Sequence, residues 1–432
     1  MLYVYMSENN VKHLNVYKQI FIDHWDGFKK ANPWYDTDHC NELVSKMFAC
    51  GDPKHIGFAE YQCFECGRGS RVVPMSCKSY LCLSCGKVHT DNWVCQVSKA
   101  LLEGMTYRHI VLTMPSLLWS LFSMYGYLLN FLPKCGAECL KEFFSEVAGR
   151  EIEGGFIIIL QTHGRSGTYN VHLHIIATGG GIDKNNNWYE IRYYPYNCRL
   201  TYKLLSKKWQ KHLLSMIEEK CGSSAGDYVY TCRSRYSQGF VTYVDTKNTF
   251  ENCGEILATY LAKYVVTPPI SVRRIKNYDG SNVSYVYKSH KTEKVERETV
   301  GVYEFIERMV QHIVAKGFKR IRYYGIQAPC KFEKIKETVI TALKKIGRIV
   351  NEAVKIIKTM NYRQRFADSL KSDPIICPYC GAEMELFRLW HPKYGTFYEG
   401  FDDFIAKSPP NPIANNKVFG YNKNHKQLML LD

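Results

Sequence analysis

The pattern of apolar and polar positions divides the chain into helical and extended segments. Apolar residues recur at helical spacing through residues 10–50, in VYKQIFIDHWDGFKK and CNELVSKMF, which predicts helices there. Periodicity disappears over residues 51–95, where Gly, Cys and Ser dominate, and this composition is typical of a small metal-stapled module. Strand and helix patterns alternate from Tyr107 onward, and beyond Pro329 we expect mainly helix.

Between residues 107 and 328 the strand patterns are YRHIVLTMP, GFIIILQTH, VHLHIIATGGG and QGFVTYVDT. The turn sequence GRSGTYN joins the second to the third, which predicts a hairpin. Helices are predicted in RLTYKLLSKKWQKHLLSMIEEK, ENCGEILATYLAKYVV and YEFIERMVQHIVAKGF, and a β-ribbon in ISVRRIKNY and NVSYVYKSH with NYDGSN at its tip. Strict βαβ alternation is missing, so the expected class is α+β with a central antiparallel sheet flanked by helices.

A chain of 432 residues is too long for one ordinary compact domain. Its 46% hydrophobic and 23% charged residues are globular composition. We predict four segments: an N-terminal helical segment (1–50), a zinc-binding domain (51–100), a central α+β domain (101–328) and a C-terminal helical region with a C-x-x-C knuckle (329–432).

One apolar run raises the question of a membrane. Residues 109–133 contain no Lys, Arg, Asp or Glu, but they include several serines, and Pro115 and Pro133 bracket the run SLLWSLFSMYGYLLNFL. We expect a buried or one-sided helix that starts near Pro115, and no membrane span. The N-terminus has no basic region followed by an apolar region and a cleavage site, so we expect no signal peptide and a reducing cytoplasm.

The chain is strongly basic, with 57 Lys and Arg against 41 Asp and Glu and a net charge of +16. Such a surface favours polyanions, of which nucleic acid is the commonest and an anionic membrane surface the alternative. Aromatic residues make up 14% of the chain. Core packing accounts for most rings, but aromatics interleaved with cations also suit single-stranded nucleic acid, because bases stack on rings while phosphates meet cations.

Seventeen cysteines include three C-x-x-C-G knuckles. Two knuckles, Cys63 with Cys66 and Cys82 with Cys85, are separated by fifteen residues, and together they predict one tetrahedral Cys₄ zinc site. Because thiolates fill all four positions, this zinc should be structural. Cys77 is a fifth candidate ligand, and the nearby His55 and His89 leave a two-metal cluster open.

The third knuckle, Cys377 with Cys380, has no obvious second half in the sequence. His391 is near enough to contribute, and Cys77 is a more distant candidate. We therefore treat this knuckle as a possible second zinc site.

His172 and His174 lie at i and i+2 in an apolar strand, so both imidazoles leave the same face. Two nitrogens on one face can hold a divalent ion and leave positions open for substrate oxygen. The alternative is two satisfied half-buried histidines. Gln161 and His163 share a face of the preceding strand, and a hairpin would bring either beside the pair as a third ligand.

Tyr260 and Tyr264 lie at i and i+4 in ILATYLAKYVV, so both hydroxyls should emerge from one side of a helix. Core packing is the default explanation for this spacing in a chain with 32 tyrosines. Lys263 could favour a tyrosinate or hold a phosphate. A tyrosine of pKa about 10 is a poor nucleophile at neutral pH, so a cation would have to lie nearby.

Four blocks of this chain together resemble the two-tyrosine rolling-circle transposases of the insertion sequence ninety-one family, relatives of the Helitron transposases. The blocks are CFECG…SCKSYLCLSCG, GFIIILQTHGRSGTYNVHLHIIATGGG, YLAKYVVTPPISVRRI and FIERMVQHIVAKGFKRIRYYG, and they occur in the family's order between about residues 15 and 390. The chain departs from the family at Gln161, where a histidine is frequent, and in lacking extra histidines around the zinc cysteines.

The resemblance implies that residues 101–328 are an HUH endonuclease domain, with His172 and His174 as ligands of Mg²⁺ or Mn²⁺ and Tyr260 and Tyr264 as nucleophiles. It implies a bacterial, nucleoid-associated enzyme that nicks and rejoins single-stranded DNA at transposon ends and target through a 5′-phosphotyrosine link. Candidate DNA contacts are Lys203, Lys207, Lys208, Lys211, Lys263, Arg273, Arg274, Arg320 and Arg322. The alternatives are a zinc-dependent DNA-binding regulator without catalysis, a rolling-circle replication initiator of the same chemistry, and a metal-dependent phosphohydrolase.

Overall fold

The structure, a computed structural model, describes residues 8–98, 101–102, 104–191, 199–245, 269–289, 292–348, 363–364, 373–400, 421–422 and 427–428. Its helices are α1 (Glu8–Ala31), α2 (Asp38–Ala49), α3 (Pro53–Ile56), α4 (Leu83–Ser98), α5 (Ser116–Met124), α6 (Leu132–Ala148), α7 (Arg199–Cys221), α8 (Gly226–Arg235), α9 (Val302–Val310) and α10 (Pro329–Lys345). Its strands are β1 (Phe58–Gln62), β2 (Ser70–Pro74), β3 (Tyr107–Thr113), β4 (Glu153–His163), β5 (Tyr169–Ile182), β6 (Trp188–Glu190), β7 (Thr242–Val244), β8 (Ile275–Tyr278), β9 (Asn282–Lys288), β10 (Val295–Gly301), β11 (Ile321–Gly325), β12 (Glu385–His391), β13 (Gly395–Glu399), β14 (Tyr421–Asn422) and β15 (Gln427–Leu428).

The described residues form two compact units. The smaller holds residues of Met1–Val11, Ser45–Cys85 and Thr359–Asp432, and the larger holds residues of Lys12–Val44 and Gly86–Lys358. This division differs from the four segments predicted from the sequence, because the smaller unit draws strands and cysteines from both the 51–100 and the 329–432 segments.

A six-stranded antiparallel sheet forms the centre of the larger unit. Its strands run in the order β11-β4-β5-β3-β7, and β6 also pairs with β5. On one face, Leu173, Ile175 and Ala177 of β5 join a core cluster with α5, α6, α7 and α8. On the other face, Ile176 joins a second cluster with α4 and α10. Helices therefore cover both faces of an antiparallel sheet, and the predicted α+β class is confirmed.

The predicted hairpin of β4 and β5 is confirmed, and it is the longest pairing in the sheet. The triple glycine at residues 179–181 lies inside β5. A Cβ built on Gly180 would lie 2.2 Å from the carbonyl oxygen of Tyr189, and one on Gly181 would lie 2.8 Å from that of Glu153. Side chains at these positions would push β6 and β4 away, so the glycines keep the strands paired.

The β-ribbon is confirmed as β8 and β9, and the structure adds a third strand, β10, which the sequence analysis missed. The predicted helix over residues 303–318 is shorter, as α9 ends at Val310. The buried His312 accounts for this end, because its Nε2–H donates to the carbonyl of Gly167 at 3.0 Å and holds the chain away from a further helical turn. The helix predicted over residues 251–266 lies outside the described residues.

A four-stranded sheet, ordered β13-β12-β1-β2, organises the smaller unit. The prediction that the chain beyond Pro329 is helical is right for α10 but wrong for residues 385–399, where β12 pairs with β1. The prediction that periodicity ends over residues 51–95 is also incomplete, since α4 begins at Leu83. Pairing with a distant strand overrides local helix propensity in the first case.

The apolar run that suggested a membrane check folds as predicted. α5 begins at Ser116 directly after Pro115, buries Leu118, Leu121 and Phe122, and ends at Met124. Among the described residues, no helix combines the length and the apolar character that crossing a bilayer requires.

Candidate functional site

Two histidines and a glutamine of the β4–β5 hairpin converge on one face of the central sheet. The Nε2 atoms of His172 and His174 lie 3.1 Å apart, and the Oε1 of Gln161 lies 3.0 Å from His174 Nε2. The register explains the convergence, because Gln161 stands directly opposite His172 across the antiparallel ladder. All three side chains are buried, with at most 9% exposed. The sequence prediction that the hairpin brings Gln161 to the histidine pair therefore agrees with the geometry.

The hydrogen bond of His172 fixes which of its nitrogens is available. Its Nδ1 lies 2.9 Å from the carbonyl oxygen of Asn170, and since a carbonyl only accepts, Nδ1 carries the proton. In neutral His172 the Nε2 lone pair therefore points toward His174. Burial, followed by the neighbouring imidazoles of His172 and His109, lowers the pKa of His174 well below its ordinary value, so His174 is neutral at pH 7.

A third imidazole, which the sequence analysis missed, extends the cluster. Nε2 of His109 on β3 lies 2.9 Å from Nδ1 of His174, and the two rings stack at 5.2 Å. Burial lowers the pKa of His109 to about 4, against the opposing effect of the Asp245 carboxylate. One sequence feature pointed to His109: the alternation in YRHIVLT puts it on one face of a predicted strand. The sequence does not show that this strand pairs with β5, so His109 could not be placed beside His174.

His163, the other candidate third ligand, is set apart from Gln161 by a register shift in β4 between the two residues. Its Nε2 lies 3.5 Å from the Nε2 of Gln161, and its ring contacts His312 at 5.3 Å. His312 also receives the hydroxyl of Thr162 at 3.2 Å on its Nδ1. The neighbours of His163 therefore anchor the hairpin turn.

The predicted tyrosine nucleophiles, Tyr260 and Tyr264, and the adjacent Lys263 lie outside the described residues.

Eight of the described cysteines form two tetrads in the smaller unit. Within each, the four Sγ atoms lie within 4.8 Å of one another. We define the first tetrad as Cys50, Cys77, Cys82 and Cys85, and the second tetrad as Cys63, Cys66, Cys377 and Cys380. The prediction that Cys63, Cys66, Cys82 and Cys85 share one ion is wrong. Cys77 is confirmed as a member of a cluster, and the partner of the third knuckle is Cys63 with Cys66, not His391 or Cys77.

The β1–β2 hairpin explains the pairing. The Cys63–Cys66 knuckle lies in the loop that joins the two strands, whereas Cys77 follows the return strand β2. A five-residue strand spans about 17 Å, so the hairpin separates the two knuckles. Cys50 was not predicted as a ligand, because it is outside any knuckle and directly follows the end of α2 at Ala49.

The spacing of the sulfurs fits tetrahedral zinc. Zn–S bonds of about 2.3 Å place sulfurs about 3.8 Å apart. Sγ–Sγ distances are 3.5 Å for Cys77–Cys85 and 3.6 Å for Cys50–Cys85, and they run from 3.5 to 3.7 Å in the second tetrad. A disulfide would need about 2.05 Å. The backbone N–H of Arg68 lowers the pKa of Cys66 to about 6, which favours the thiolate that binds metal.

The predicted DNA contacts on α7 separate into exposed and buried residues. Lys203, Lys207 and Lys211 are exposed and follow at intervals of four, so they form one basic face. Lys208 is only 8% exposed, and its Nζ donates to Glu142 Oε1 at 2.6 Å and also meets Glu146. The structure therefore contradicts the assignment of Lys208 to DNA, because its ammonium is held between two carboxylates of α6.

The remaining predicted contacts differ in exposure. Arg273 is exposed, while Arg274 lies within 3.4 Å of the carbonyl of Arg165. Arg320 donates to the carbonyl of His312, and Arg322 donates to that of Asn130 at 2.9 Å. Both arginines thus have structural partners in addition to any role toward phosphate.

Lys208→Ala should destabilise the protein by about 1–3 kcal/mol, since it removes the ammonium held between the half-exposed carboxylates of Glu142 and Glu146. Lys208 and His212 hold the pKa of Glu142 at about 2. The stabilisation that the Glu142 carboxylate gains from its cations is therefore fully present above the unfolded-state pKa of about 4.3. It is lost as the pH falls through the folded-state pKa of about 2. Urea unfolding at pH 7 and pH 2.5 measures it. The matched control, Lys207→Ala, should weaken DNA binding with stability unchanged within about 0.5 kcal/mol; equal stability of both variants would contradict the assignment.

Comparisons with known proteins match both regions of the chain. A family model described as "Putative transposase" matches residues 155–334, and one described as "Transposase zinc-binding domain" matches residues 20–114. The "Transposase for insertion sequence element IS801" of Pseudomonas savastanoi pv. phaseolicola is 28% identical over 359 residues, covering 79% of this chain and 82% of that protein. The "Putative transposase y4qJ" of Sinorhizobium fredii is 23% identical over 376 residues, covering 82% and 92%. No solved structure matches the chain.

The matched regions contain the two sites described above. The transposase model includes the hairpin that carries His172 and His174, and the zinc-binding model includes the whole first tetrad. The zinc-binding domain and the cysteine tetrads support structural Zn²⁺, and the protein is a DNA-processing enzyme. The chain belongs to the transposases of the insertion sequence ninety-one family, with their N-terminal zinc-binding domain.

Proposed function

We propose that this transposase nicks and rejoins single-stranded DNA through a 5′-phosphotyrosine link, with a divalent cation on His172, His174 and Gln161, and so drives rolling-circle-type transposition. The observation that carries the proposal is the convergence of two imidazole nitrogens and one amide oxygen at 3.0–3.1 Å on the β4–β5 hairpin. A regulator that only binds DNA has no use for such a cluster.

The donor set fits Mg²⁺ or Mn²⁺. The imidazole of His174 is neutral, and an amide oxygen is a hard ligand of the kind these ions accept. Three protein donors leave further positions for substrate oxygens. When bound, the ion supplies positive charge that polarises the scissile phosphate. The hydrogen bond from His172 Nδ1 to Asn170 keeps that ring oriented before the substrate arrives.

The covalent step would use Tyr260 or Tyr264. The hydroxyl loses its proton, the tyrosine oxygen bonds to phosphorus, and the bond between phosphorus and the 3′ oxygen breaks. The 3′ oxygen takes a proton and leaves as a hydroxyl. Because the phosphotyrosine link retains the energy of the phosphodiester, rejoining requires no ATP. A pair of tyrosines would let one protein hold two strand ends.

The basic face of α7 would guide the strand. Lys203, Lys207 and Lys211 project from one side of the helix, at the spacing that lets successive ammonium groups follow a phosphate backbone. The net charge of +16 adds a general attraction that is strongest at low salt.

The test is incubation with single-stranded DNA carrying candidate transposon ends, with Mg²⁺ or Mn²⁺, followed by denaturing electrophoresis. A cation-dependent protein–DNA adduct that disappears in Tyr260→Phe combined with Tyr264→Phe supports the proposal. Nicking without an adduct would indicate a phosphohydrolase. DNA binding with no nicking under any cation would indicate a regulator.

A further inference from the structure

We propose that the chain binds a second structural zinc ion, on Cys63, Cys66, Cys377 and Cys380, which joins two segments from opposite ends of the sequence. The zinc-binding family model ends at residue 114 and the transposase model at residue 334, so neither contains the C-terminal half of this tetrad. The proposal goes beyond the nicking function and does not depend on it.

Strand pairing brings the two knuckles together. β1 and β12 are antiparallel, with Gln62 opposite Glu385. The residues that follow β1 therefore lie beside the residues that precede β12, at one end of these two paired strands. The Sγ of Cys63 lies 3.5 Å from that of Cys380, although the two are 317 positions apart in the sequence.

The backbone around the sulfurs has the form of paired zinc knuckles. The N–H of Gly67 donates to the carbonyl of Cys63 at 3.0 Å, and the N–H of Gly381 donates to that of Cys377 at 3.0 Å, so each knuckle closes with the same turn. Gly67 and Gly381 follow the second cysteine of each knuckle with φ of 67° and 76°, which an L side chain adopts with strain. Two unrelated segments thus share one local geometry.

The backbone at Gly69 packs closely against the second tetrad. A Cβ built on Gly69 would lie 2.5 Å from the Sγ of Cys377 and 3.2 Å from the Cβ of Cys63. The Sγ–Sγ distances of 3.5–3.7 Å suit four thiolates around one tetrahedral Zn²⁺, which would satisfy all four. The ion would stabilise the attachment of the β12–β13 hairpin to β1 and β2, in addition to the backbone hydrogen bonds between β12 and β1.

The two tetrads differ in exposure. All four cysteines of the first tetrad are buried, whereas Cys380 is exposed and Cys66 is half-buried in the second. A chelator should therefore reach the second ion first. We expect zinc release in two phases, the faster one belonging to the second tetrad.

The test uses the full chain. Atomic absorption should find two zinc ions per wild-type chain and one in Cys377→Ser combined with Cys380→Ser, while Cys330→Ser, at an exposed cysteine outside both tetrads, keeps two. Should the double variant fail to fold, Co²⁺ titration of the metal-free wild type decides, because thiolate-to-cobalt absorption must saturate at two equivalents. Saturation at one equivalent, or two ions retained in the double variant, would overturn the proposal.

A separate observation concerns the histidine cluster. We infer that His109 is a positioning residue for His174, held in turn by Asp245; this rests on the proposed cation site. For His174 Nε2 to bind a cation, that nitrogen must be unprotonated, so the proton of the neutral ring sits on Nδ1. Nδ1 of His174 lies 2.9 Å from Nε2 of His109, so the His174 Nδ1–H can donate a hydrogen bond to that nitrogen.

Asp245 can select the matching tautomer of His109. The backbone N–H of Asp245 donates to the carbonyl of His109 at 2.9 Å, which makes the two residues neighbours across β3 and β7. Asp245 is 2% exposed, and its carboxylate acts electrostatically on His109. A proton on His109 Nδ1 directed to this carboxylate leaves His109 Nε2 free to accept from His174. The order Asp245–His109–His174 thus presents His174 Nε2 outward.

The test measures Mn²⁺ affinity by titration calorimetry without DNA. His109→Phe should weaken binding about 10–100-fold, as loss of an outer partner does, while His109→Gln, which retains an acceptor, should bind within a few-fold of wild type. Asp245→Asn provides a second variant with less change in volume. His55→Ala, at an exposed histidine of the other unit, is the control.

The outcomes separate this inference from the proposed function. If wild type binds no Mn²⁺ that depends on His172 and His174, the cation site itself fails. If wild type binds but His109→Phe and Asp245→Asn bind equally well, the positioning role fails and the cation site stands.

Discussion

His174→Ala is expected to lower cation-dependent strand nicking by at least about 10³-fold, at the upper end of the cost of removing one preorganised electrostatic contact. The expectation follows from its central place: Nε2 of His174 lies 3.1 Å from His172 Nε2 and 3.0 Å from Gln161 Oε1. Losing this ring removes one donor and separates the other two. Single-turnover nicking at saturating Mn²⁺ measures the effect.

The matched control is His163→Ala, a half-buried histidine of the same hairpin whose Nε2 lies 3.5 Å from the Nε2 of Gln161. It should retain nicking within about 10-fold, a cost appropriate to an outer partner. Zinc content and circular dichroism should match wild type in both variants, since neither touches the cysteines. Equal losses in the two variants would contradict the choice of Gln161 over His163 as the third ligand.

Cys82→Ser combined with Cys85→Ser should unfold the smaller unit. Both cysteines are buried, at 4% and 1% exposure, and they supply half of the first tetrad. A structural zinc site contributes on the order of 10 kcal/mol of apparent folding free energy, which is comparable to the whole stability of a domain. In thermal unfolding of the double variant, we expect the transition that belongs to the smaller unit to be missing. Less than one zinc ion per chain should remain at this tetrad.

Cys139→Ser is the control for the loss of a buried thiol alone, because Cys139 lies fully buried in α6 with no part in either tetrad. It should cost only about 1–3 kcal/mol, as for an ordinary core substitution, and leave zinc content unchanged. A double variant that remains as stable as this control would mean that the first tetrad holds no ion needed for folding.

Sequence periodicity was sufficient for the parts of the fold whose partners are close in the chain. The β4–β5 hairpin, α7 and the β8–β9 ribbon were predicted because alternation or helical spacing is carried by consecutive residues. The same local information placed His172 beside His174 and brought Gln161 to them, since a hairpin register relates residues only a turn apart.

Features that depend on distant pairing could not be obtained in this way. The knuckle at Cys63 meets Cys380 only because β12 pairs with β1, and no local pattern encodes that pairing. His109 reaches His174 through the strand order of the sheet. Lys208 appeared as a surface cation on a basic helix, but Glu142 and Glu146 on α6 remove it from solvent.

The most direct measurement of the tyrosine mechanism is peptide mapping of the protein–DNA adduct by mass spectrometry after nuclease and trypsin digestion. Cleavage after Lys263 separates the two tyrosines into peptides 248–263 and 264–273, each with a single tyrosine. The predicted result is a nucleotide mass on Tyr260 or Tyr264, formed only with Mg²⁺ or Mn²⁺ and absent from His172→Ala combined with His174→Ala. A nucleotide on any other residue, or an adduct that persists without the histidine pair, would contradict it.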